Sequence, residues 1–163
     1  MGDGAPFLAN QVDDKFGAQG SYLLDFYHVC EYLAEAAKSC ASNDEKTWTE
    51  TQKKCLKNNE YKNVLANLKP HLIAPEIKDD KAPVRACYRY LSNRTDQLDY
   101  KTAIEKGYPI GSGEIESAHR YVIQERLKLP GAWWKAANAD SMLALRVVRS
   151  NNRWNDYWKA KVA

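Results

Sequence analysis

The chain contains no run of about 18 apolar residues, the length at which a helix begins to span a bilayer, so no membrane segment is expected. Its opening residues, Met1-Gly2-Asp3-Gly4-Ala5-Pro6, have neither the basic stretch nor the apolar core of a secretory leader, and the expectation is a cytoplasmic protein. The sequon Asn93-Arg94-Thr95 carries no meaning without a secretory route. Cys30, Cys40, Cys55 and Cys87 include no C-x-x-C pair and no Cys/His group at zinc spacing. That absence excludes the common zinc and dithiol motifs and predicts reduced thiols in a core. No repeat of roughly 20–50 residues is visible, which excludes a solenoid. Apolar residues themselves are not scarce: 44% of the 163 residues are hydrophobic and 28% charged, a balance that argues against disorder. A chain of this length can bury about two thirds of its unfolded surface.

The net charge of +3 says little until it is divided. From Gly107 to Ala163 there are nine Lys/Arg against five acids, a segment of +4, which leaves −1 for the rest. This basic segment is interleaved with Trp133, Trp134, Trp154 and Trp158. Cations meet phosphates and indoles stack on bases, so the pattern suits nucleic acid. A solvated basic face over a tryptophan-rich core fits the same composition.

Apolar spacing predicts a short helix over Phe7 to Phe16, stopped by Gly17 and Gly20. Ser21-Tyr22-Leu23-Leu24-Asp25, a brief apolar run bounded by glycine, reads as a buried strand ending in an acid. Val29, Tyr32, Leu33, Ala36 and Ala37 lie on one stripe of a helix over His28 to Ala41. From Ser42 to Lys106 the composition predicts several short helices with breaks before Pro70, Pro75 and Pro83. Val84, Cys87, Tyr88 and Leu91 mark the apolar face of one of them. After the turn Tyr108-Pro109-Ile110-Gly111-Ser112-Gly113, helices are expected over Glu114 to Leu127, Ala136 to Ser150 and Trp154 to Lys161.

Three acidic motifs stand at glycine-bearing turns or helix starts: Gly2-Asp3-Gly4-Ala5-Pro6, Leu24-Asp25-Phe26-Tyr27-His28 and Gly111-Ser112-Gly113-Glu114-Ile115-Glu116. Each has a plain explanation. Asp-Gly is a common turn, Asp25 can cap the helix that follows it, and Glu116 can pair with Arg120 one turn on.

Taken in order, the three motifs resemble the catalytic half of insertion-sequence DDE transposases of the Kra type, which are related to Mutator-like elements. The resemblance runs over nearly the whole chain. It extends to Glu31-Tyr32-Leu33, to Gln124-Glu125-Arg126-Leu127-Lys128, to Gly131 and Trp133-Trp134, and to Leu143-Ala144-Leu145-Arg146. It implies an α/β but mostly α fold, an incomplete RNase H-like core. Residues 1–41 would form the second part of that core, 42–106 a helical insertion, and 107–163 the glutamate helix with basic C-terminal helices. Asp3 and Glu116 would be the catalytic acids and the ligands of Mg²⁺ or Mn²⁺, with Glu114 the weaker candidate for the second. Paired ions of that kind activate a water or 3′-hydroxyl and stabilise the leaving oxygen of a phosphodiester. Asp25 and His28 would be accessory, beside the site, or simply structural. Arg120, Arg126 and Lys128 would contact phosphates. Trp133 and Trp134 would stack on an unpaired base or pack between helices.

The implied partners are DNA, as transposon ends and target, and further copies of the chain. Nucleoid association in the cytoplasm follows from the same resemblance. The family's first catalytic aspartate lies on a strand that this sequence does not include. The expectation is therefore a remnant, a fragment of a longer frame or the second part of a split one, inactive by itself. A non-catalytic helical module that binds nucleic acid through the basic segment is the alternative.

Overall fold

The computed structural model describes residues 1–20, 22–78 and 81–162. They fall into two compact units, Met1–Ser112 and Gly113–Ala163.

The first unit is organised around α2 (Phe26–Cys40), which packs against α3 (Glu45–Lys57) and α5 (Pro83–Ser92). Asp25 starts α2 by accepting hydrogen bonds from the amides of Tyr27 and His28, two of the donors that a helix start leaves unpaired. Val29, Leu33, Ala36 and Ala37 then recur at helical spacing and are all fully buried. Asp44 caps α3 in the same way through the Thr47 amide. Asn59, at a φ of 63°, turns the chain from α3 into α4 (Tyr61–Leu68). Pro83 occupies the first turn of α5, where its missing N–H costs nothing. Asp99 caps the short α6 (Tyr100–Glu105). Leu33, Leu56, Val64, Leu68, Leu91 and Tyr100 meet in one core, so residues from 1–41 and 42–106 share it. α1 (Pro6–Phe16) precedes this arrangement and packs Ala9 and Val12 against its core.

The expected α/β class, an incomplete RNase H-like core, is not what the chain forms. About 70% of it is helical and 1% strand, and among the described residues there is no sheet. The run expected as a strand is extended only around Leu24, which forms an isolated parallel bridge with Gly2; Ser21 lies outside the described residues. The reason is visible in the hydrogen bonds. A ladder requires alternate amides of one strand to reach the same neighbour. Here the Leu24 amide donates to Gln97 O at 2.9 Å, Asp25 to Gly2 O at 2.8 Å and Phe26 to Ile110 O at 2.8 Å. Three consecutive amides reach three different segments, so the run is buried and satisfied without a sheet.

The second unit consists of α7 (Gly113–Ala118), a π-helical segment over His119–Gln124, α8 (Glu125–Leu127), α9 (Ala136–Ser150) and α10 (Trp154–Val162). The helix expected over Glu114 to Leu127 is thus interrupted by six residues of wider winding. Arg146 of α9 braces that segment: its Nε donates to Val122 O at 2.8 Å and its Nη2 to Tyr121 O. Nη2 also pairs with Glu125 at 2.9 Å. Trp154 and Trp158 meet edge to face at 5.5 Å. No described residue of this unit is fully buried. No described helix is long and apolar enough to cross a membrane.

Candidate functional site

Asp3 sits in a short turn between its bridged neighbour Gly2 and α1. Its carboxylate is exposed, and Oδ1 accepts the Ala5 amide at 3.1 Å. The turn is possible because Gly4 adopts a φ of 86°, a conformation that costs other residues free energy. Glycine is required there for a second reason: a Cβ would fall 2.8 Å from both Arg94 Nε and Leu24 Cδ2. The main chain is held from α5 and the turn after it. The Tyr90 hydroxyl donates to Asp3 O at 2.7 Å, and Arg94 Nε donates to Gly4 O at 2.9 Å. The Gly4 amide donates to the Tyr22 hydroxyl at 3.4 Å. Burial pushes the ionisation of both tyrosines upward, so they stand as neutral hydroxyls.

Asp25 is 7% exposed, and both its oxygens accept hydrogen bonds from main-chain amides. Oδ1 accepts the amides of Tyr27 at 2.7 Å and His28 at 3.1 Å. Oδ2 accepts the Ser112 amide at 2.7 Å. Burial alone would raise its pKa, but the hydrogen bonds from Ser112, His28 and Tyr27 outweigh it and hold the carboxyl below the usual range. The turn that Asp25 grips is tight: a Cβ on Gly111 would lie 2.5 Å from the Tyr27 ring, so only glycine lets the segment pass.

His28 reaches Asp25 only through its backbone amide. Its Nδ1 lies 2.9 Å from Glu31 Oε2, and its ring meets Tyr32 and Tyr90 edge to face at 5.4 and 5.8 Å. The side chains of Asp25 and His28 do not form the pair that their spacing suggests. His28 belongs to an aromatic cluster with Tyr32 and Tyr90, and Asp25 to a capping and turn-holding network.

Glu116 and Glu114 are exposed on α7, in the second unit, whereas Asp3 belongs to the first. Arg120 lies exposed in the π segment, Arg126 on α8 and Lys128 just after it. Trp133 is 97% exposed and Trp134 40%, on the loop between α8 and α9. Among the described residues, no three His, Cys, Asp or Glu side chains gather closely enough to hold a metal. The Asp25 carboxylate is buried and engaged by three amides, whereas the exposed Asp3 carboxylate, with one oxygen engaged by a single amide, suits a hard divalent cation that takes one or two carboxylates and completes its shell with water and phosphate.

Tyr22, Tyr90 and Arg94 had no signal in the sequence as partners of the Asp3 turn, since Tyr90 and Arg94 are 87 and 90 positions from the carbonyls they bind. The four cysteines are free. Burial pushes the Cys30 thiol up to about 11 and the Cys87 thiol up to about 12, which keeps both protonated and poorly nucleophilic. No protein-family model matches the chain, and no curated protein or solved structure matches it either.

Proposed function

We propose that this chain carries part of the strand-transfer machinery of a DDE-type DNA transposase, with Asp3 and Glu116 as its metal-binding acids. The observation that carries the proposal is the junction of the three acidic motifs. Gly2 and Leu24 pair side by side, which brings the Asp3 turn next to Asp25. Asp25 Oδ2 in turn grips the Ser112 amide, and the chain runs from Ser112 directly into α7, which carries Glu116. Gly2, Asp25 and Ser112, remote in sequence, are thus joined by hydrogen bonds within the first unit.

In this reading Asp3 and Glu116 hold Mg²⁺ or Mn²⁺. Such ions, when bound, polarise the attacking and leaving oxygens of a phosphodiester. Asp25, engaged by three amides, caps α2 and holds the Ser112 turn, a structural role beside the two acids. Arg120, Arg126 and Lys128 supply positive charge to the DNA backbone, and exposed Trp133 and Trp134 offer faces on which an unpaired base can stack. The partners are DNA and, for the pairing of element ends, further copies of the chain.

A second reading is a nucleic-acid-binding module without catalysis, and the observation that favours it is the basic second unit, in which no described residue is buried and one tryptophan is 97% exposed. Metal dependence separates the two. A rise in melting temperature with Mn²⁺ that is lost in Asp3→Ala and in Glu116→Ala supports the first reading. DNA binding that weakens steeply between about 50 and 200 mM salt, with no metal effect, supports the second. With two of the three acids that the resemblance implies, the chain by itself should bind a labelled duplex carrying the element's ends and leave it uncut. Cleavage that disappears in Glu116→Ala would show a complete site and overturn that expectation.

A further inference from the structure

We infer that Tyr90 and Arg94 are positioning residues for Asp3, holding the Asp3-Gly4 main chain so that the carboxylate is presented to a divalent cation; the inference rests on reading Asp3 as a metal-binding acid. Apart from the bridge at Gly2, the turn has no regular structure of its own. Its two successive carbonyls are each claimed by a side chain from the far end of the unit, Asp3 O by the Tyr90 hydroxyl at 2.7 Å and Gly4 O by Arg94 Nε at 2.9 Å. The second bond has a charged donor, which makes it stronger than a neutral one. Both donors are themselves fixed. Arg94 Nη1 donates to Tyr90 O at 3.2 Å, and its guanidinium lies 4.7 Å from the centre of the Tyr90 ring. Tyr90 stacks on Tyr32 at 4.3 Å with the rings nearly parallel at 12°, and His28 presses its edge on both.

The clamp fits closely, since the guanidinium lies where a Gly4 side chain would be. Arg94 therefore directs Nε and Nη1 at main-chain carbonyls, which sets it apart from a surface cation waiting for phosphate. A network of this kind acts on a metal site as outer-shell partners do, by fixing where the ligand points. The same network accounts for His28. Beside Asp25 in sequence, it contributes through Tyr32 and Tyr90 to the residue that holds Asp3.

The test uses the full chain with Tyr90→Phe, which removes one hydroxyl and keeps the ring, and Arg94→Gln, with Arg94→Lys retaining the charge but not the planar Nε donor. Amide hydrogen exchange at Gly4 and Ala5 reports the clamp without metal. Mn²⁺ titration followed by paramagnetic broadening around Asp3 reports its consequence, with Asp3→Ala as the reference for a lost site. We expect exchange to rise at least about 10-fold in each variant and Mn²⁺ to bind roughly 10-fold more weakly, the lower end for outer-shell partners. The melting temperature of Tyr90→Phe should stay within a few degrees of the parent. Unchanged exchange and affinity in the variants, with the parent binding Mn²⁺ at Asp3, overturns the positioning role alone. A parent chain that shows no Mn²⁺ effect at Asp3 overturns the reading of Asp3 as a ligand, and the positioning role with it. Arg94→Lys matching the parent in both measurements would also count against the clamp, because charge without the Nε geometry should not suffice.

Discussion

Asp25, 7% exposed, caps α2 and holds the turn ahead of α7. Three amides converge on its oxygens, and their removal would release the start of α2 and the Gly111-Ser112 turn together. Asp25→Ala should therefore cost about 2–4 kcal/mol, the sum of a lost helix cap and an unpaired buried amide, measured by urea denaturation. The pH dependence follows from the lowered folded-state pKa. A carboxyl with a depressed folded value stabilises the protein fully above its unfolded value of about 3.9 and loses that contribution as pH falls through the folded value. Melting curves between about pH 2 and 6 should show this acid-side loss in the parent and a flatter profile in Asp25→Asn. Gly4 makes a different demand. Gly4→Ala must hold a φ of 86° and displace Arg94, and should cost about 1–3 kcal/mol in the same denaturation experiment.

Among the helices, α2 and α5 form the central packing pair, and Leu33 and Leu91 are fully buried. Leu33→Ala or Leu91→Ala should each cost about 2–5 kcal/mol. The exposed Ile115 on α7 should tolerate the same change within about 0.5 kcal/mol, and a comparison of urea midpoints would expose any hidden role for it. Most of this level was readable from the sequence because it is local. The apolar spacing of Met142, Leu143, Leu145, Val147 and Val148 marks α9 over Ala136–Ser150, and Pro70 and Pro83 mark the end of α4 and the start of α5, whereas α3 and α4 part at Asn58-Asn59, where no proline stands. α2 starts two residues before the apolar stripe predicts, because Phe26 and Tyr27 carry no polar signal, and Asp25 caps it. The strand at Tyr22 to Asp25 was not legible correctly. Apolar composition predicts burial, and Tyr22 and Leu24 are buried, but only the partner segments decide whether their amides form a ladder. The clamp on Asp3 was illegible for the same reason: tyrosine and arginine at positions 90 and 94 look like an ordinary polar helix end until the fold brings Gly4 to them.

At the scale of the molecule the two units differ in kind. Met1–Ser112 encloses the core, whereas Gly113–Ala163 has nine Lys/Arg against five acids and no described residue fully buried. Protection from exchange and proteolysis follows burial and local contact density. Limited trypsin treatment should therefore cut first within Gly113–Ala163, with α2 and α5 surviving longest; mass spectrometry showing early cleavage at Arg85 or Lys53 would contradict it. An α-helix advances about 100° per residue, while a π segment, whose amides bond five residues back, absorbs one additional residue in nearly the same rise. Across His119–Gln124 the azimuth of everything downstream is therefore offset from that of an unbroken helix. Arg126 and Lys128 come round to a different side of the axis from the one that Glu116 would select by simple three-four spacing. Deleting a single residue from that segment should restore ordinary winding and leave both cations on nearly their present side of the axis relative to Glu116, because the residue removed is the one that the wider winding absorbs.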